Sequence, residues 1–157
     1  AISCQHLIIC TNGFAKKIAD IEVVPARGQV LVTEVLDHAP QGLHMYDRGY
    51  YYWRDLDGRI LLGGARHVDV EGEQAVELSS NPNVVDELQR FLFEDILGRK
   101  AAIENQWSGI MGMSPQKDKR PIVKKLDENV YCAVRLGGIG VALIALVAKE
   151  LAALVES

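Results

Sequence analysis

The sequence predicts an α+β fold, a mainly antiparallel sheet with one or two packed helices, and three observations lead there. The middle of the chain is a series of short β-branched and aromatic runs separated by Gly, Asp and Pro. One segment carries both start and stop signals of a helix. Near the C-terminus an apolar strand passes through glycines straight into an apolar helix.

Taken in order, residues 7–10 are an apolar run read as a strand, and residues 29–34, 44–47, 50–54 and 60–64 are further strands. Asp57-Gly58 between the last two is a hairpin turn of the favoured kind, and hairpin-length connections imply antiparallel neighbours. On the strand 50–54, Tyr50 and Tyr52 point one way and Tyr51 and Trp53 the other. One pair belongs to the core and the other is free to line a pocket; the pattern does not say which. A helix is expected over 83–97, with Asn81 as N-cap, Pro82 at the first helical position and Gly98 at C′. Its apolar stripe is Val84, Leu88, Phe91, Leu92 and Leu97. Return strands follow at 101–107 and 121–124, then the strand 130–134 and a helix over 141–155.

Composition narrows the partners. A chain of 157 residues makes one domain of about modal size. Its net charge is −4 and no basic run alternates with aromatics, which argues against nucleic acid. Cys4, Cys10 and Cys132 are odd in number and widely spaced, and two of them lie in apolar runs. Buried free thiols in a reducing, cytoplasmic compartment are the expectation. The most apolar segment, 139–148, is followed by Lys149-Glu150 and reads as too short to span a bilayer, so no membrane partner is expected. His6, His38, His44 and His67 show no metal spacing and are read as structural, with no metal site expected. Neither a P-loop nor a Gly-x-Ser-x-Gly elbow is present.

Chemistry concentrates in Arg135-Leu136-Gly137-Gly138-Ile139-Gly140. Glycines let backbone N–H groups approach a ligand, and the following helix offers unpaired donors and the positive end of its dipole. The bland alternative is a tight strand-to-helix connection. A dinucleotide fingerprint needs a second parallel strand with an acidic residue about 20 positions further on. No such strand follows, so this turn is not the primary phosphate site of a self-contained Rossmann unit.

Six blocks give the sequence a resemblance. Trp107-Ser108-Gly109-Ile110-Met111-Gly112-Met113-Ser114-Pro115, then Arg120-Pro121-Ile122-Val123, then the glycine turn, resemble the C-terminal end of the FAD-dependent amino-acid and amine oxidoreductases, the D-amino-acid oxidase/glycine oxidase superfamily. His6-Leu7-Ile8-Ile9-Cys10-Thr11-Asn12-Gly13 resembles the late strand of that superfamily's flavin domain, and Pro25-Ala26-Arg27-Gly28-Gln29-Val30-Leu31 its crossover into the substrate domain. Asp47-Arg48-Gly49-Tyr50-Tyr51-Tyr52-Trp53-Arg54 with Asp57-Gly58-Arg59-Ile60-Leu61-Leu62-Gly63-Gly64 resembles the hairpin of the substrate domain.

The resemblance implies a division into a flavin-domain strand and connection (1–24), a substrate-binding domain (25–125) and a strand–glycine loop–helix of the flavin domain (126–157). It implies FAD, with cofactor contacts at Arg135, Leu136, Gly137, Gly138, Ile139, Gly140, Thr11, Asn12 and Gly13. Many relatives have Gly where Arg135 stands, and Arg135 is expected to face flavin or substrate, or else to be paired within the protein. Amino-acid-specific relatives read Trp-x-Gly-x-Arg-Pro where this chain has Met111, which cannot grip a carboxylate. Arg54 and Arg66 are then the replacements, beside Arg135, with Tyr52 and Met111 lining the substrate site. The basic loop 116–120 reads as a solvated turn. The family's half that carries the ADP-binding glycines is absent from this sequence, so the isolated chain is expected to hold FAD weakly.

Two functions follow. One is the substrate-binding and C-terminal part of a flavoenzyme oxidising a small amine or amino acid. The other is a non-catalytic fragment or subunit whose terminal helix, apolar all round over its first ten residues, docks on a separate flavin-binding half or on another copy of the chain.

Overall fold

Side-chain alternation along the strands sorts residues 1–156, those the computed structural model describes, between two sheets. The chain divides into a continuous unit, residues 27–109, and a discontinuous one built from residues 1–26 and those from 110 onward. The architecture is α+β with mostly antiparallel pairing.

Five strands, β2 (Val24–Thr33), β3 (Leu43–Tyr46), β4 (Tyr51–Leu56), β5 (Arg59–Gly64) and β6 (Ile103–Met113), form a sheet in the order β3-β4-β5-β2-β6. Strands β2 and β6 begin or end outside the continuous unit. The β4–β5 turn has φ +50 at Asp57 and +78 at Gly58, the left-handed pair that a two-residue hairpin requires. Leu31, Tyr51, Ile60 and Leu62 point from one face onto helix α1 (Pro82–Phe91), meeting Val84, Leu88 and Phe91. Tyr51 stacks on Phe91 at 4.1 Å and Trp53 meets the same ring edge-on at 5.7 Å, so this pair, not Tyr50 and Tyr52, is the core pair.

Helix α1 starts as expected. Asn81 accepts a hydrogen bond from the Asn83 N–H at 3.2 Å, and Pro82 opens the first turn. The regular helix stops at Phe91, earlier than the expected 97, because residues 92–96 widen into a π turn in which Leu97 N–H bonds to the Leu92 carbonyl. Gly98 then takes φ +64, the predicted left-handed stop.

The discontinuous unit holds β1 (Leu7–Ile9), β7 (Ile122–Asp127) and β8 (Val130–Val134) in the order β1-β8-β7, with β1 parallel and β7 antiparallel to β8. Strand β7 therefore lies in this sheet and not beside the hairpins. Alternation in β8 sends Cys132 and Val134 to Ile9, Ala15, Ile21 and Val23 on one face. Tyr131 and Ala133 go to the opposite face, where helix α2 (Gly140–Glu156) covers them with Val147 and Leu151.

Two expectations need correction. Cys10 lies one residue past β1 and is exposed, as is Cys4; Cys132 is buried, and all three are free. The apolar segment is not cut short at Lys149-Glu150, because both fit within α2, and the helical stretch Gly137–Glu156 is long and apolar enough to cross a membrane by length and composition. One face of α2 is nevertheless occupied by its own sheet.

Candidate functional site

Strands β1 and β8 run parallel and adjacent, so the loops leaving their C-terminal ends meet. Ligands of α/β sheets bind at such strand ends. After β1 the chain turns through a short 3₁₀ segment, Asn12–Lys17; after β8 it turns through another, Gly137–Ile139, into α2.

One side chain ties the two loops together. Asn12, itself at φ +45, accepts hydrogen bonds at its Oδ1 from the backbone N–H of Arg135 at 3.1 Å and of Leu136 at 3.2 Å. Arg135 stands at φ +65, a left-handed conformation that glycine adopts freely and arginine does not. The end of β6 closes the third side. A Cβ on Gly13 would come within 2.6 Å of the Met111 carbonyl oxygen, and a Cβ on Gly112 would collide with Asn12 Oδ1. Thr11 accepts at its carbonyl from the Phe14 N–H at 2.9 Å.

The structure thus brings Thr11, Asn12, Gly13, Arg135, Leu136, Gly137, Gly138, Ile139 and Gly140 to one place, with Met111 alongside. The Met111 sulfur is 3.9 Å from where a Gly138 Cβ would stand. The Arg135 side chain is buried and committed to the protein: Nε donates to the Arg120 carbonyl at 3.0 Å, and the guanidinium is 4.0 Å from Asp118. Arg120 also hydrogen-bonds Asp118, which with a smaller contribution from Arg135 holds that carboxyl down to about 2. The loop 116–120, read as a solvated turn, is therefore also an anchor for Arg135.

The remaining predicted residues lie in the continuous unit. Tyr52 is on the sheet face opposite α1 and its ring runs along Gly63, where a Cβ would stand 2.6 Å from Cζ and the hydroxyl oxygen. Desolvation pushes its phenol pKa up. Arg54 is exposed two residues further along the same face, and Arg66 opens a short 3₁₀ turn. Neither side chain has a hydrogen-bond or ion-pair partner among the described residues.

Sequence reasoning missed a buried ionic cluster. Arg27, Gln29 and Glu73 are each at most 6% exposed. Arg27 donates to Glu73 at 2.9 Å, to Ser79 Oγ at 2.5 Å and to the Gly72 carbonyl at 2.9 Å, pinning the turn-rich stretch 70–79 to β2. Glu73 sits where no periodicity marks burial, so nothing in the sequence flags it as the partner of Arg27. The cluster is far more buried than the candidate substrate residues and acts on stability.

The chain belongs to the DAO family, FAD dependent oxidoreductase, whose sequence profile matches residues 1–154. Among solved structures it is similar to iminodiacetate oxidase from Chelativorans sp. BNC1 (TM-score 0.76, 16% identity, covering 99% of this chain and 43% of that one). It is also similar to glycine oxidase from Bacillus cereus ATCC 14579 (0.75, 15%, covering 99% and 43%). A third likeness is to L-α-glycerophosphate oxidase from Mycoplasma pneumoniae with FAD bound (0.71, 14%, covering 97% and 43%). The chain therefore spans less than half the length of each. No curated protein sequence matches it.

FAD is the cofactor of this family. No side chain among the described residues caps the Gly137–Ile139 turn, so the N–H groups of its first residues have no side-chain acceptor. A Cβ on Gly137 would meet nothing within 4 Å and one on Gly138 only the Met111 sulfur, so the turn's approach side is open.

Proposed function

We propose that this chain supplies the flavin-ring edge and the substrate-binding surface of an enzyme that oxidises a small amine or amino acid. In such a reaction the substrate's C–H leaves as hydride, the nitrogen loses a proton, and a carbon–nitrogen double bond forms, with FAD taking up the hydride. The observation that carries the reading is the convergence of the glycine turn, Asn12 and Gly13 at the ends of two parallel strands. The N–H groups at residues 137–140 and the positive end of α2 stabilise negative charge on the reduced ring.

Residues 27–109 are assigned to substrate binding, and the discontinuous unit, residues 1–26 with those from 110 onward, to the flavin edge, which moves the expected boundary at 125 back to 109. Arg54 and Arg66 are the guanidinium groups left for a substrate carboxylate, Tyr52 supplies a flat wall with a polar tip, and Met111 contributes apolar surface near the turn. Arg135 is engaged by Arg120 and Asp118, so its role is to shape the turn more than to grip substrate. The ADP-binding half comes from a further segment or a separate chain, and the three free thiols suit a reducing compartment such as the cytoplasm.

A second reading keeps the chain as a non-catalytic subunit docking on a flavin-binding partner; the exposed apolar face of α2 favours it. Gly138→Val in the flavin-loaded protein separates the two. The first reading expects flavin affinity to fall at least tenfold, about 1.4 kcal/mol, and turnover with it, while the hairpins stay folded. Unchanged flavin content and turnover would reduce the glycine turn to a structural connection.

A further inference from the structure

The backbone at Arg135 is held in a conformation that costs an arginine free energy, and the residue that holds it comes from the opposite end of the chain. Asn12 Oδ1 takes both the Arg135 and the Leu136 N–H, the last two donors before the glycine turn. Gly112 lies flush against the Asn12 side chain and Gly13 against the Met111 carbonyl, so Asn12 has little room to move. Its amide is fully engaged by the protein's own backbone on the acceptor side. We infer that Asn12 is a positioning residue for the flavin: it fixes where the N–H groups of residues 137–140 point instead of contacting the ring. The inference rests on reading the glycine turn as the flavin-edge loop.

The physical sequence is short. With Asn12 in place, φ +65 at Arg135 is compensated by two hydrogen bonds, and the turn enters α2 at one fixed angle. Without the acceptor, Arg135 relaxes toward negative φ and the turn swings. The donors then leave the position where negative charge develops on the reduced ring, and the reduction potential falls. A glycine at 135 adopts positive φ at no steric cost, so it should hold the turn without the clamp.

The test compares Asn12→Leu, Arg135→Gly and the double variant in the flavin-loaded protein, with amide exchange followed on its flavin-free form. Asn12→Leu is expected to speed exchange at Arg135 and Leu136 about tenfold while β8 stays protected. It is also expected to raise the FAD dissociation constant about tenfold and to lower the flavin reduction potential. Arg135→Gly added to it is expected to restore the potential. Faster exchange with unchanged potential and affinity would make Asn12 structural only, and unchanged exchange would remove the clamp. A lowered potential that Arg135→Gly fails to restore would make Asn12 a direct contact. If Gly138→Val also leaves the potential unaltered, the flavin-edge reading itself fails, whatever the exchange data say about the clamp.

Discussion

Helices α1 and α2 spend their apolar residues differently. In α1 the stripe Val84, Leu88 and Phe91 is buried against its own sheet, the N-terminus is capped by Asn81, and the outer face is charged. In α2 only Val147 and Leu151 are buried, while Val141, Ile144 and Leu146 remain 95%, 57% and 66% exposed. A soluble helix that is apolar all round is ordinarily covered all round. The contrast shows that the continuous unit completes its core from its own residues, whereas α2 carries a face that the described residues leave open.

Breaking the first side of that contrast should have the largest effect. Phe91→Ala removes the ring on which Tyr46, Tyr51 and Trp53 converge, and is expected to cost about 3–5 kcal/mol in urea unfolding of the continuous unit. A loss below about 1 kcal/mol would mean that α1 is not the centre of that core.

The same helix should also leave a signature at both ends of the pH range. The Tyr51 hydroxyl donates to Glu87 at 2.6 Å. Arg90, then Tyr51, hold the Glu87 carboxyl down to about 2, while burial and the Glu87 bond push the Tyr51 phenol up to about 12. The carboxylate's contribution is complete above its ordinary value of 4.5 and disappears as pH falls through about 2. The phenol's is complete below 10 and disappears as pH rises through about 12. Glu87→Gln should flatten the acid slope of stability, measured by denaturation across pH 2–5, and weaken the alkaline one.

A smaller loss, about 1 kcal/mol, is expected for Asn81→Ala, which leaves the first turn of α1 uncapped; the shift in thermal midpoint measures it. Least of all, Ile144→Gln on the open face of α2 should change stability by under about 0.5 kcal/mol while reducing self-association seen by light scattering. A destabilisation as large as that of Phe91→Ala would mean this face is packed after all and would erase the contrast.

Local rules account for what the sequence made legible. The Asp57-Gly58 turn, the Asn81–Pro82 start of α1, the left-handed Gly98 beyond the π turn, and strand 130–134 all depend on neighbours in the chain, and each is found where expected, whereas the end of α1 is not. Tertiary contacts account for what it did not. The choice between Tyr51 and Tyr52 was settled by the position of Phe91, the Glu73 partner of Arg27 by a fold of the chain over 46 residues, and the paired state of Arg135 by the carbonyl of Arg120. At the candidate site the glycine turn and Asn12-Gly13 were visible separately. That Asn12 bonds the turn was not, because nothing local links residues 123 positions apart.

That separation has a kinetic meaning. The continuous unit is assembled largely from hairpins, whose partners lie close in sequence and meet within microseconds. Pairing β1 with β8 must instead close a loop containing nearly the entire chain, and the entropy of that closure is lost before any of its contacts form. The hairpins are therefore expected to gain amide protection early in refolding and the Arg135 and Leu136 N–H groups that Asn12 accepts to gain it late, an order that pulse-labelled exchange checks.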